Sequence, residues 1–165
     1  MMRARVLLAI FVVALLASTG GFAKDGDLRP FKRGSWQEIR QAHAGRPTVV
    51  HFWGLTCGPC RVEMPQCGGS SCGSGPISIW SRSTLTLIPN QVEDASEMLA
   101  RTGLAGAENW IFDDPFTERL RFEIDPRWQG EILRTLLIAR DGATTIIEGI
   151  ADPAQVRAWL ARQKQ

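Results

Sequence analysis

Cys57-Gly58-Pro59-Cys60 places two thiols two residues apart. At that spacing a pair can close a small disulfide ring and reopen it. The attacking species in such exchange is the thiolate, so the surroundings must favour the charged sulfur. A helix N-terminus does this, because its free N–H groups and the positive end of its dipole face the sulfur. The bland alternatives are a permanent disulfide or half of a metal site. His51 lies shortly before the pair. Its imidazole titrates near neutral pH and could relay a proton, or it could be a core histidine with one hydrogen bond.

The flanking pattern supplies the required elements. Thr48-Val49-Val50-His51-Phe52-Trp53 is an apolar, β-branched run and reads as a central strand. A helix is expected from Cys57, with Pro65 in it or at its end. Upstream, Ser35-Trp36-Gln37-Glu38 has the capping-box pattern, and Gly45 with Pro47 closes that helix. Downstream, Glu93 to Thr102 reads as an amphipathic helix with Ala95, Met98 and Leu99 inward, closed by Gly103. Asn109 to Arg127 reads as an aromatic-rich loop with a helical turn near Phe116 to Phe122, and Asp113 with Asp114 as caps before Pro115. Thr135 to Ala139 and Ala143 to Glu148 read as a hairpin about Arg140-Asp141-Gly142. Asp152 caps a last helix with Pro153 at its first position, and Val156, Trp159 and Leu160 face inward.

The chain of 165 residues suffices for one domain with a core. Arg3 and Arg5 precede an unbroken apolar run, Val6 to Ala17, and Gly21-Phe22-Ala23 suits a cleavage site. Residues 1–23 therefore read as a secretory signal peptide or an uncleaved N-terminal anchor, and 24–34 as a polar lead-in. Two of the 19 Lys and Arg lie in that first segment, so the remainder equals the 17 Asp and Glu. A neutral remainder with no basic run gives nucleic-acid binding no support. Export would place the cysteines in an oxidising compartment.

The predicted order of elements resembles the thioredoxin fold, in the manner of secreted TlpA/ResA-type thiol–disulfide oxidoreductases. The residues that carry the resemblance are Val50 to Trp53, Cys57 to Cys60, Glu63-Met64-Pro65 and Thr135 to Gly142. It spans roughly residues 35–162 and implies an α/β domain over 35–165 with a central mixed sheet flanked by helices. It also implies that Cys57 attacks and Cys60 resolves, with Gly58-Pro59 as the dipeptide of reducing members. Their relative thioredoxin has a potential near about −270 mV. His51 falls near the position of a buried acid that relays a proton. Trp53, Thr56, Leu133 and Arg134 are expected along the substrate groove, Thr56 where many relatives carry Trp. Relatives place a cis-proline where this chain has Leu133. A non-proline cis bond costs about 2.5–4 kcal/mol, so the bond before Leu133 is expected to be trans. In the family that proline shapes the groove and keeps metals off the cysteines. The aromatic residues Trp53, Trp110, Phe112, Phe116, Trp128 and Trp159 are expected as core or groove wall.

Residues 67–86 break the pattern. Gly, Ser, Cys and isolated Trp and Arg replace any periodicity where the resemblance calls for a helix end and a strand. A back-translated, shifted frame from Cys67 can read QWGQFVRERPDLDLVSIHAD, which has both, so the segment is a candidate frameshift. On that reading Cys67 and Cys72 are not native features. Taken as written, Cys57, Cys60, Cys67 and Cys72 offer four thiolates, but not in the paired spacing of a zinc site, and export disfavours reduced thiolates. No metal or other cofactor is expected. A Cys67–Cys72 disulfide is formally open. The expected function is an exported reductase of protein disulfides, periplasmic or otherwise outside the cytoplasm, re-reduced by a membrane electron donor. The alternative is a non-catalytic binding module, or degenerate copy, that holds a partner protein or metal.

Overall fold

The computed structural model describes residues 28–68, 78–82 and 91–163. The leader or anchor, residues 24–27 of the lead-in and Cys72 lie outside the described residues. Six strands form one mixed sheet in the order β1-β4-β3-β2-β5-β6. They are β1 Leu28–Phe31, β2 Thr48–Trp53, β3 Ser78–Arg82, β4 Glu108–Phe112, β5 Arg134–Ile138 and β6 Thr144–Glu148. The first four run parallel to one another, β5 runs antiparallel to β2, and β6 runs antiparallel to β5. The helices are α1 Ser35–Ala42, α2 Gly58–Gly68, α3 Gln91–Arg101, α4 Thr117–Ile124 and α5 Pro153–Arg162.

Alternation along β2 sorts the helices into two layers. Val50 and Phe52 point to one face and pack with Trp36 and Ile39 of α1, Leu120 of α4, and Trp128. Trp53 points to the other face and packs with Met64 of α2 and Ala95 and Leu99 of α3. Val49 packs on that face against Val156 and Trp159 of α5. The expected α/β architecture, a mixed central sheet flanked by helices, is the one observed.

Local details depart from the sequence reading in instructive ways. The lead-in contributes β1, whose Leu28 and Phe31 pair in register with Asn109 and Phe112. The segment expected as a loop from Asn109 to Arg127 thus opens as strand β4, because its apolar residues find a partner edge that lies far away in sequence, before it forms α4. Ser35 does not cap α1. It is the first helical residue, its hydroxyl accepts from the Lys32 N–H at 3.0 Å, and Gly34 takes the cap position at φ 87°. Asp114 accepts from the Phe116 N–H at 2.8 Å, whereas Asp113 pairs with Lys32 at 3.3 Å. Asp152 does cap α5, accepting from the Ala154 N–H at 2.8 Å. The hairpin forms as expected. Asp141 accepts from the Ala143 N–H at 2.9 Å, and Gly142 supplies φ 86°. A strand stands at Ser78–Arg82, inside the unpatterned stretch. No helix among the described residues is long and apolar enough to cross a membrane.

Candidate active site

The chain leaves β2 at Trp53, turns through Gly54, Leu55 and Thr56, and enters α2 at Gly58. The turn closes when the Cys57 N–H donates to the Gly54 carbonyl at 3.1 Å. Cys57 thereby sits immediately before the first residue of α2, where unpaired N–H groups gather. The Cys60 N–H donates to the Cys57 sulfur at 3.2 Å. The two cysteines are joined as a disulfide, with Cα atoms 5.3 Å apart. Cys57 is 8 % exposed and Cys60 is 0 % exposed. Of the two, only Cys57 keeps any exposure, and its place before α2 sets it beside the free N–H groups of the helix. Gly58, Pro59 and Thr56 are exposed around the pair.

Both sulfurs belong to one buried cluster with Trp53, Met64, Leu99 and Leu133. Trp53 is fully enclosed in it, so it supports the disulfide from below rather than lining an open groove. Leu133 occupies the position directly before β5. No peptide bond among the described residues is cis, in keeping with the trans bond expected there. Its backbone is left-handed, at φ 60°, the only such non-glycine among the described residues. That conformation costs a leucine about 1–2 kcal/mol. The Leu133 carbonyl accepts from the Gly149 N–H at 2.8 Å, which helps hold it.

Arg134 goes elsewhere. Its guanidinium lies 5.5 Å from the Trp128 ring centroid and pairs with Asp125 and, at 3.1 Å, with Glu148. Trp128 packs with Phe52 on the α1/α4 face, so Arg134 is a buried ion-pair residue on the sheet face away from the disulfide's cluster. The pleat explains this, since side chains on a strand alternate between faces.

Glu63 carries weight that sequence reading did not give it. It stands one turn beyond Cys60 on α2 and is 1 % exposed. One carboxylate oxygen accepts from the Ala151 N–H at 2.9 Å. The other accepts no hydrogen bond among the described residues and lies 4.0 Å from His51 Nε2. Burial raises the Glu63 carboxyl above its usual range, and the Ala151 N–H partly opposes that. His51 Nδ1 pairs with the Thr135 hydroxyl at 2.8 Å. Burial lowers the His51 pKa to about 3, so the ring is neutral at physiological pH. A charged residue followed by Met-Pro inside a helix that packs on the sheet was the available signal for Glu63. The spacing from Cys60 puts it on the inward face.

These shifts make stability depend on pH. The His51 pKa is lower folded than unfolded, so its neutral form stabilises the fold above 6.5 and that contribution is lost as pH falls toward about 3. Glu63 acts in the opposite sense, losing stability as pH rises from 4.5 through its raised folded value. We expect His51→Asn to flatten the acid side of a urea-midpoint profile. The wild type should lose up to about 1.4 kcal/mol per pH unit there. Parallel profiles for the two proteins would contradict the assignment.

Among the described residues no group of three or more His, Cys, Asp or Glu side chains is placed to hold a metal ion. A four-cysteine site needs Cys72, which lies outside them.

No protein-family model matches this sequence. No curated protein matches it either. Solved structures do match, and three of them show the likeness at low identity. A secreted disulfide oxidoreductase of Mycobacterium tuberculosis, homologous to E. coli DsbE, is 14 % identical, with TM-score 0.55 over 74 % of this chain and 85 % of that one. A DsbF homologue from Corynebacterium diphtheriae is 13 % identical, with TM-score 0.58 over 74 % and 75 %. A thiol:disulfide interchange protein of the thioredoxin family from Chlorobium tepidum is 18 % identical, with TM-score 0.52 over 76 % and 85 %. These neighbours are thioredoxin-like thiol–disulfide oxidoreductases, and this chain has their fold.

Proposed function

We propose that this protein is an exported thiol–disulfide oxidoreductase that reduces disulfides of other extracytoplasmic proteins. The observation that carries the reading is a disulfide at the N-terminus of α2 in which Cys57 keeps slight exposure and Cys60 has none. In the reduced protein the Cys57 thiolate attacks a substrate disulfide. A mixed disulfide forms, and the displaced substrate thiolate takes a proton from solvent. The Cys60 thiolate then attacks the Cys57 sulfur, the intramolecular disulfide closes, and the second substrate sulfur leaves. Two electrons pass to the substrate. A dithiol donor, held in the membrane on this reading, restores the reduced pair. Export rests on the leader-like residues 1–23, which also leave a membrane anchor as an alternative.

Cys60 must lose a proton to resolve the mixed disulfide. Glu63 is the group suited to accept it, being buried one turn away with an elevated pKa. His51 is held neutral and hydrogen-bonded to Thr135, so its part is to sit beside the Glu63 carboxyl rather than to take the proton first. We expect Glu63→Gln to slow exchange about 10²-fold. It should also remove the rise in rate as pH passes through the Glu63 pKa. An unchanged pH profile would assign the proton transfer to another group.

Insulin reduction with dithiothreitol as donor tests the activity. Turnover above the donor's own rate is the expected result. The second reading, a binding module, draws on the leucine that stands before β5 against the disulfide. It predicts no turnover while the Cys57–Cys60 bond remains intact.

A further inference from the structure

Leu133 combines three features. It has the left-handed backbone described above, its side chain is 5 % exposed, and it packs in the same buried cluster as both sulfurs. A leucine adopts that backbone at a cost, so its surroundings must hold it there. The Gly149 N–H bond to its carbonyl and the packing of its side chain are the two observed restraints. Residues on either side of these restraints, Ile132 and Ile150, are exposed. The arrangement is a buried apolar side chain on a strained backbone, with neighbours that face solvent.

We propose that the Leu133 side chain is a cover that restricts access to the Cys57 sulfur and so sets which thiols can reach the disulfide. This rests on the reading that Cys57 and Cys60 undergo exchange. A thiol reaching Cys57 must displace the leucine. A polypeptide substrate can offset that displacement by apolar contact with Ile132 and Ile150, whereas a small thiol has nothing to place there. Leu133 is then a specificity-determining residue that acts through the space it occupies.

The probe is dithiothreitol. One of its thiolates attacks the Cys57 sulfur, the Cys57–Cys60 bond breaks, and Cys60 leaves as a thiolate that is protonated. The second dithiothreitol thiol attacks the mixed disulfide, closes a cyclic disulfide and frees Cys57. Two electrons move from the dithiol to the protein. Acid quenching, alkylation and mass analysis give the rate. Leu133→Gly removes the side chain and the backbone strain, and Leu133→Ala removes only the side chain. Both are expected to react about tenfold faster than wild type, because neither has a buried leucine side chain to displace. Leu99→Ala, which empties space in the same cluster without touching the residue before β5, is expected to leave the rate within about twofold. Equal rates in wild type, Leu133→Gly and Leu133→Ala would overturn the cover while leaving the exchange reading intact. Equal acceleration by Leu99→Ala would overturn it too, because general loosening would explain the gain. A disulfide that dithiothreitol reduces in none of these proteins would overturn the cover and the exchange reading together.

Discussion

Cys57→Ser is expected to reduce insulin turnover to the background of the donor, a loss of at least about 10³-fold. The hydroxyl that replaces the sulfur is a far weaker nucleophile near neutral pH, and no disulfide can form through it. Cys60→Ser is expected to abolish turnover by a different route. Its Cys57 can still attack, but nothing resolves the adduct, so the protein should accumulate as a mixed disulfide with its substrate. The asymmetry follows from burial, since Cys57 shows a surface to solvent and Cys60 none. The assay is the insulin turbidity rate for the three proteins at equal concentration. Retained turnover in Cys57→Ser would remove Cys57 from the mechanism. The same mixed disulfide from both variants would remove the ordering of the pair.

The second large effect concerns stability. Arg134 is 3 % exposed and Asp125 is 8 % exposed, and they pair inside the sheet's α1/α4 face. Removing one partner of a buried pair costs about 3–5 kcal/mol where the other charge is left without compensation. Because Arg127 still holds Asp125, the loss here falls at the lower end. Arg134→Ala is therefore expected to lower the unfolding free energy by about that amount, and also to strip packing from Trp128. Arg134→Ala with Asp125→Ala should recover part of the loss, because the stranded carboxylate is gone. The Asp125 carboxyl is held below its usual range first by the Arg127 backbone N–H, with the Arg127 and Arg134 guanidinium groups assisting against the penalty of burial. With a depressed folded pKa its stabilisation is present above the ordinary carboxylate range. That stabilisation is lost as pH falls through the folded value. Urea unfolding of the single and double variants at neutral pH measures the coupling. Additive losses would show that the pair is not coupled.

The readable parts of the sequence are those where local chemistry and tertiary placement agree. The β2 run, the Asp152–Pro153 start of α5 and the Asp141–Gly142 turn each carry their own signal, and each forms as expected. The motif at Cys57 to Cys60 was legible for the same reason. What escaped depends on distant partners. Leu28–Phe31 looks polar and short, and becomes a strand only because β4 lies beside it. Arg134 looks like a groove residue until the pleat turns it toward Trp128. Glu63 has no assigned role in the sequence pattern, and its enclosure, with the Ala151 N–H donating to it, depends on a segment 88 residues away. Residues 67–86 carry no periodicity, yet the backbone makes β3 at Ser78–Arg82, where a parallel neighbour of β2 is needed. The shifted frame proposed for that segment supplies an alternating strand at this place. The base sequence across codons 60 to 92 tests it.

The measurement that bears most directly on the central claim is mass analysis of Cys60→Ser after incubation with disulfide-intact insulin and acid quenching. The account predicts insulin attached through a disulfide to a peptide containing Cys57, released by reductant and absent from Cys57→Ser. Attachment through Cys67 or Cys72 instead, or no attachment while Cys57 carries a free thiol, would contradict it.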